Sequence, residues 1–155
     1  MLASELGKVF HDSDLEIERR TGARISLIFD IEGEAGFRAR ETQVLDQLTQ
    51  LSNVVLASGG GAVLSADNRE HLSARGLVVY LHGQPKDLWH RTRHDRSRPL
   101  LQNTDALEKL SLLYRERDPL YREIADIVID TGRQSARTLL TQLLPQLREQ
   151  CRLSA

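Results

Sequence analysis

The sequence predicts an α/β protein built on a parallel β-sheet with helices on both faces. Four short apolar runs alternate along the chain with segments of helical periodicity, and each run is continuously apolar. Strands with this pattern are typical of parallel sheets that are covered on both sides. The predicted strands are Val9 to His11, Val54 to Ala57, Leu77 to Leu81 and Ile127 to Ile129.

Two helices are predicted between the first and second strands. Ser13-Asp14-Leu15-Glu16 has the spacing of a capping box, and the helix that it opens is expected to end at Gly22. A second helix is predicted from a stripe of apolar residues at helical spacing. That stripe consists of Phe37, Val44, Leu45, Leu48 and Leu51.

Further helices are predicted in the second half of the chain. One covers Asp105 to Arg117, and Asp118-Pro119 then has the form of an N-cap and first position of a new helix. The last helix has a leucine stripe and is expected to bend at Pro145. The stripe consists of Leu139, Leu140, Leu143, Leu144 and Leu147.

Bulk composition favours one globular domain covering residues 1–155. The chain is 40% hydrophobic and 28% charged, without repeats or linkers. No apolar run approaches the roughly twenty residues that span a bilayer, and no signal peptide is recognised, so we expect no membrane association. Cys151 is the only cysteine, which is consistent with the cytoplasm. The net charge of −1 gives no indication of nucleic-acid binding.

Three consecutive glycines, Gly59 to Gly61, follow the second predicted strand. The amide groups of such a loop can face an anion or a hydroxyl group, although a glycine turn is often only a tight connection. A nucleotide P-loop has the pattern G-x-x-x-x-G-K-[ST], and no lysine follows these glycines. The loop is therefore expected to bind something other than the β-phosphate of ATP, or nothing.

Polar pairs occur at two further places. Asp12 and Asp14 follow the first predicted strand, where ligands collect in α/β proteins, and could hold hydrated Mg²⁺ and orient a substrate hydroxyl. A helix cap is the alternative role for one acid. Arg38 and Glu41 are three residues apart, so the carboxylate can hold the guanidinium, although such pairs are common on solvated helices.

The segment RTRHDRSRPLL, from Arg91 to Leu101, contains four arginines. This composition is expected of a mobile basic lid over phosphates, covering about residues 91–104. A nucleic-acid patch is the alternative, but the segment has no interleaved aromatic residues.

Together these segments resemble the shikimate kinase family, particularly its bacterial form. The matching segments are DSDLEIERRTG, IFDIEGEAGFRARE, VVLASGGGAV, VVYL, RTRHDRSRPLL, RDPLYREIAD and DTGRQSA, in family order from residue 2 to about 150. The resemblance implies the three-layer P-loop kinase fold, similar to nucleoside-monophosphate kinases. It also implies Mg²⁺-dependent transfer of the γ-phosphoryl group of ATP to the 3-hydroxyl of shikimate, by an enzyme that is usually a monomer.

The resemblance assigns roles to individual residues on the acceptor side. Asp14 would bind substrate hydroxyls and help to accept the proton. Two arginines would clamp the carboxylate of shikimate, with Glu41 steadying them, and the glycines would lie against its ring. These residues are Arg38, Arg117, Gly59, Gly60 and Gly61, with Gly60 donating its amide to a hydroxyl.

On the nucleotide side, the resemblance implies that Asp12 holds Mg²⁺ through water. Arg98 would close on the phosphates from the lid, and Arg91 would pack on adenine.

The pattern departs from the family at its beginning. Family members start with a strand and a G-x-x-G-x-G-K-[ST] loop, whereas this chain starts within the helix that follows, at about Met1 to Leu6. We expect a start site placed too far downstream rather than a truncated, non-catalytic remnant that binds shikimate or a similar hydroxylated carboxylate. The chain as printed is expected to be destabilised, and competent in catalysis only with the P-loop segment.

Overall fold

The structure is a computed structural model that describes residues 1–92 and 105–153. The chain divides into two compact units, Met1–Leu77 and Val78–Ala155. Each unit is an α/β arrangement with two parallel strands. The predicted single domain over residues 1–155 stays a prediction.

The first unit contains strands β1 and β2, which pair in parallel with Asp12 opposite Ala57. Because the strands are parallel, the segments that follow them begin at the same edge of the sheet. The elements in chain order are α1 (Leu2–Leu6), β1 (Val9–Asp12), α2 (Ser13–Thr21), α3 (Ile25–Leu48), β2 (Val54–Ala57), a 3₁₀ helix (Gly60–Leu64) and α4 (Ala66–Arg75).

The second unit contains strands β3 and β4, which pair in parallel with His82 opposite Asp130. Its elements in chain order are β3 (Val79–His82), α5 (Pro85–Thr92), α6 (Ala106–Ile124), β4 (Ile127–Asp130) and α7 (Ala136–Leu153). All four predicted strands are confirmed, with bounds that differ from the prediction by no more than two residues. None of the helices in the described part of the chain combines the length and apolar character needed to cross a lipid bilayer.

The core of the first unit lies between α2 and α3. The rings of Phe29 and Phe37 pack with their centroids 4.8 Å apart. The buried members of this core are Ile17, Ile28, Phe37, Val44 and Leu48. The predicted stripe is thus confirmed apart from Leu51, which is 47% exposed, because α3 ends at Leu48 and its period does not continue.

One prediction is wrong in the region of helix α6. No new helix begins at Asp118-Pro119, because α6 runs unbroken through Pro119. The Asp118 carboxylate does not cap a helix start. It accepts hydrogen bonds from the Tyr80 hydroxyl at 2.8 Å and from Arg122 Nε at 3.0 Å. The Tyr80 contact joins α6 to β3, and the Arg122 contact lies within α6. Helix α7 likewise continues through Pro145, where the bend stays a prediction.

Helix α3 is interrupted at Gly33, a feature that the sequence analysis did not predict. Gly33 has φ 74° and ψ 178°, so residues 25–32 and 34–48 form two helical segments separated by a kink. Only glycine adopts this backbone conformation readily. The kink also brings Gly36 over Glu32, where a Cβ atom at position 36 would lie 2.6 Å from Glu32 Cβ.

We predict that Gly33→Ala lowers the free energy of unfolding by about 1–3 kcal/mol, because the methyl group forces a disfavoured conformation at the kink. Thermal or urea denaturation measures this effect. Gly76→Ala is the matched control, since Gly76 has φ −164° and open space where its Cβ would lie. The control is expected to leave stability unchanged or raise it slightly. Equal losses in both variants would contradict a conformational requirement at Gly33.

Candidate active site

The candidate site of the first unit forms where β1 and β2 end. Because Asp12 and Ala57 are opposite each other, the first turn of α2 and the loop after β2 start from the same edge. Ligands bind at the carboxyl ends of strands in α/β folds. In this position the structure brings together Asp14, Arg38, Gly59 and Gly61.

Asp12 is the N-cap of α2. Its Oδ1 accepts hydrogen bonds from the amides of Asp14 at 2.9 Å and Leu15 at 3.2 Å. The predicted capping box headed by Ser13 is therefore wrong. Ser13 is the first helical residue and is fully buried, and Glu16 pairs instead with arginines of the same helix. The cap lies one residue earlier because a carboxylate at position 12 can reach both amides.

Asp14 has the electrostatic character of a proton acceptor. Its Oδ1 is buried and has no hydrogen-bond partner among the residues that the structure describes. Burial raises the pKa of its carboxyl group, and the neighbouring carboxylate of Asp12 raises it further, whereas Arg38 opposes the shift. A carboxylate with a raised pKa is a stronger base, which suits a group that takes a proton from a hydroxyl.

Arg38 is held by a buried carboxylate. Its Nη1 donates to Glu41 Oε1 at 2.9 Å, and the Glu41 side chain is only 1% exposed. Its Nη2 donates to the exposed Glu34 at 3.3 Å, and the guanidinium lies 5.2 Å from the centre of the Phe37 ring. Arg38 Nε is buried and makes no hydrogen bond to any of the described residues. Arg38 and Glu41 are thus not a solvated surface pair, because the partner carboxylate is removed from water.

The glycine turn, Gly59 to Leu64, is shaped by these charged groups. A Cβ at Gly59 would lie 3.0 Å from Asp14 Oδ1 and 3.3 Å from Glu41 Oε2. A Cβ at Gly61 would lie 2.2–2.4 Å from three atoms of the Arg38 guanidinium, which is shorter than any real contact. A side chain at position 61 therefore requires the Arg38 guanidinium to move, and one at position 59 requires the Asp14 and Glu41 carboxylates to give way slightly.

The second unit carries two of the arginines expected to contact ligands. Arg117 lies on α6, and its Nε is buried without a hydrogen-bond partner in the described ranges 1–92 and 105–153. Arg91 lies near the end of α5, and its Nη2 donates to Thr131 Oγ1 at 3.4 Å. Arg98 and most of the expected lid, about residues 91–104, lie outside the described residues. The shared carboxylate clamp of Arg38 and Arg117 stays a prediction.

A polar network at the ends of β3 and β4 was missed by the sequence analysis. His82 is 5% exposed, and its ring nitrogens contact Asp130 and the Tyr114 hydroxyl, the latter at 2.8 Å. The Thr131 hydroxyl donates to the backbone oxygen of His82 at 3.0 Å. Asp12 was singled out because ligands bind at the carboxyl ends of parallel strands. His82 and Asp130 also end parallel strands, so the same rule could have identified them.

Comparisons with known proteins give one consistent family. The family model described as Shikimate kinase matches residues 1–148. A protein named shikimate kinase from Nitrosococcus oceani is 56% identical over 148 residues, which are 96% of this chain and 78% of that protein. One of the same name from Burkholderia lata is 59% identical over 146 residues, which are 94% of this chain and 79% of that protein.

Solved structures agree with the sequence comparisons. The shikimate kinase from Acinetobacter baumannii in complex with shikimate superposes with a TM-score of 0.92 at 50% identity, covering 96% of this chain and 83% of that one. The enzyme from Aquifex aeolicus gives a TM-score of 0.82 at 30% identity, covering 97% of this chain and 87% of that one. These likenesses confirm the predicted P-loop kinase class of α/β fold.

We predict that Asp14→Asn makes the protein more stable at neutral pH. The folded state holds the Asp14 proton more tightly than the unfolded state, so stability falls as pH rises from the ordinary value of 3.8 through the raised pKa. The stability gain of Asp14→Asn over the native chain should therefore be absent in acid and complete at neutral pH. Thermal denaturation between pH 3.5 and 8 follows the difference.

Glu16→Gln provides a control of opposite sign on the same helix. Hydrogen bonds from Arg19 and Arg20 lower the pKa of Glu16 to about 2, from an ordinary value of 4.5. Its contribution to stability is present above 4.5 and is lost as pH falls towards 2. Glu16→Gln should thus lower stability at neutral pH. A destabilised Asp14→Asn at pH 7 would contradict the buried environment assigned to Asp14.

Proposed function

The chain belongs to the shikimate kinase family, and we propose that it transfers the γ-phosphoryl group of ATP to the 3-hydroxyl of shikimate, giving shikimate 3-phosphate. The observation that carries this proposal is the convergence of Asp14 and Arg38 on the glycine turn. A base and a fixed guanidinium beside bare backbone suit a small acceptor with hydroxyl groups and a carboxylate.

On the acceptor side, Arg38 binds the carboxylate of shikimate, and Arg117 is the second arginine of this clamp. The planar guanidinium matches a carboxylate in two-point hydrogen bonding, and Glu41 fixes its orientation. Asp14 accepts hydrogen bonds from substrate hydroxyls and takes the proton of the attacking hydroxyl. The ring lies against Gly59, Gly60 and Gly61, and the Gly60 amide donates to a hydroxyl.

On the nucleotide side, catalysis needs positioning and charge neutralisation rather than a covalent intermediate. Arg98 contacts the phosphates, and Arg91 packs on adenine. The kinase family implies ATP as the phosphoryl donor. Both arginines belong to the region of the expected lid.

The acids at the end of β1 fit a magnesium ion that retains water. Mg²⁺ is bound through one or two carboxylates and keeps several of its waters. Asp12 uses Oδ1 to cap α2, and the buried Oδ1 of Asp14 has no partner in residues 1–92 and 105–153, so carboxylate oxygen is available there. Asp12 would hold the ion, which when bound neutralises charge on the phosphates.

The chain's partners are thus shikimate and ATP, with no role for nucleic acid or membranes. We propose a monomer located in the cytoplasm. The net charge of −1 agrees with the absence of a role for nucleic acid. The single cysteine, Cys151, agrees with the cytoplasm.

We predict that Arg38→Ala raises the dissociation constant for shikimate on the order of 10- to 100-fold, because a lost charge-assisted hydrogen bond costs about 1.5–3 kcal/mol. Arg117→Ala is expected to act in the same direction. Gly61→Ala should also weaken binding, since its methyl group displaces the Arg38 guanidinium, and it should lower stability because that displacement disturbs the pair with the buried Glu41. Calorimetry measures affinity, and a coupled assay of ADP release measures KM.

Arg40→Ala is the matched control for these variants. Arg40 lies two residues from Arg38, but it is exposed and donates to Glu32 at 2.6 and 2.8 Å. Its removal should leave shikimate affinity unchanged. An unaltered dissociation constant in Arg38→Ala would reject the carboxylate clamp. Shikimate binding without ADP release in the presence of ATP, by protein that carries the expected P-loop segment, would reject phosphoryl transfer and leave the non-catalytic shikimate-binding alternative.

A further inference from the structure

Helix α4 is hydrogen-bonded back onto the glycine turn that precedes it. Asn68 Nδ2 donates to the backbone oxygen of Ala62 at 3.0 Å, and Arg69 Nη1 donates to that of Val63 at 2.7 Å. Asn68 is 1% exposed. Its backbone N–H donates to Oγ of Ser65, the N-cap of α4, at 3.3 Å. Two successive side chains of α4 therefore hold two successive carbonyl groups of the turn.

The turn needs such external anchors because its glycines have no side chains to pack. At its beginning it is continuous with β2, which is held in register by β1. At its end, the peptide groups after Ala62 and Val63 are held by α4. Gly61 lies immediately before these carbonyls and is in contact with the Arg38 guanidinium. A shift at Ala62 would thus move the backbone against which Arg38 and Asp14 are placed.

The energetics of Asn68 indicate that its amide group serves this contact. Within the described part of the chain, its Oδ1 is buried without a hydrogen-bond partner. Leaving a buried acceptor unsatisfied costs about 1–3 kcal/mol, so a purely apolar side chain of similar size would fill the same space at lower cost. The donor on Nδ2 is what an apolar side chain could not provide.

We propose that Asn68 is a positioning residue of the acceptor site, assisted by Arg69, and that it fixes the glycine turn against Arg38. The identity of the substrate rests on the proposed function. Asn68 touches no reacting atom in this scheme. It acts through the Ala62 carbonyl on Gly61, and through Gly61 on the guanidinium that binds the carboxylate.

The test is Asn68→Leu, which keeps the approximate size of the side chain and removes the donor. Calorimetry should show a dissociation constant for shikimate raised several-fold, to about tenfold, which corresponds to about 1.4 kcal/mol. In the ADP-release assay on protein that carries the expected P-loop segment, KM for shikimate should rise while KM for ATP stays constant. A purely structural role would change stability without this selectivity for the acceptor.

Arg75→Ala is the matched control on the same helix. Arg75 Nη1 donates to Asp46 and Thr49 of the α3 terminus, at 2.7–2.9 Å, and makes none of the described bonds to the glycine turn. It should lower the melting temperature without changing shikimate affinity. Hydrogen exchange gives an independent measurement. In Asn68→Leu, the amides of residues 60–63 should exchange faster, while those of β2 and α3 keep their protection.

The outcomes separate the two proposals. If the native chain does not bind shikimate, the proposed function fails, whereas faster exchange in residues 60–63 of Asn68→Leu would still support the anchoring role. If the native chain binds and Asn68→Leu binds equally well, the positioning role is rejected. Should Asn68→Leu fail to fold, Arg69→Gln tests the adjacent anchor by the same measurements, and unchanged affinity and exchange there would overturn the proposal.

Discussion

The arrangement of the first unit depends on the buried ion pair between Arg38 and Glu41. Burying charges is unfavourable unless they are paired, so a carboxylate that is 1% exposed requires the guanidinium beside it. The guanidinium in turn occupies the space where a side chain at position 61 would lie. The glycine at position 61 and the charge at Arg38 are therefore both consequences of the buried ion pair. Asp14 lies in the same cluster of charged groups.

Helix α3 joins the core to this cluster. Phe37 packs in the core while the adjacent Arg38 points its guanidinium at the glycine turn, so folding of the helix also sets the position of the charge. The break at Gly33 determines where residues 34–48 begin. The same helical segment thus carries the core residue Phe37 and the site residue Arg38. The position of a charged group in such a segment is as well defined as the core beside it.

The short strands and their ends were predictable, since continuously apolar runs are typical of parallel strands and ligand sites follow the carboxyl ends of such strands. Asp14 and the triple glycine were found in this way, whereas Arg38 was found from its spacing to Glu41 on a helix. Local capping signals were less dependable, because Asp12 displaced Ser13 as the cap and tertiary contacts of Asp118 overrode a helix start. Hydrogen bonds from a side chain of a later helix to a turn, such as the one made by Asn68, leave no periodic pattern in the sequence and were therefore not predicted.

The most direct measurement is a double-mutant cycle, in which the dissociation constant for shikimate is compared between the native chain, Glu41→Gln, Arg38→Ala and the double variant. NMR titration measures the affinity of the variants that bind weakly. If Glu41 acts by holding Arg38, Glu41→Gln should weaken binding in the native background and have little effect once Arg38 is removed, giving a coupling of about 0.5–3 kcal/mol. Additive effects of the two substitutions would contradict this role of the buried pair.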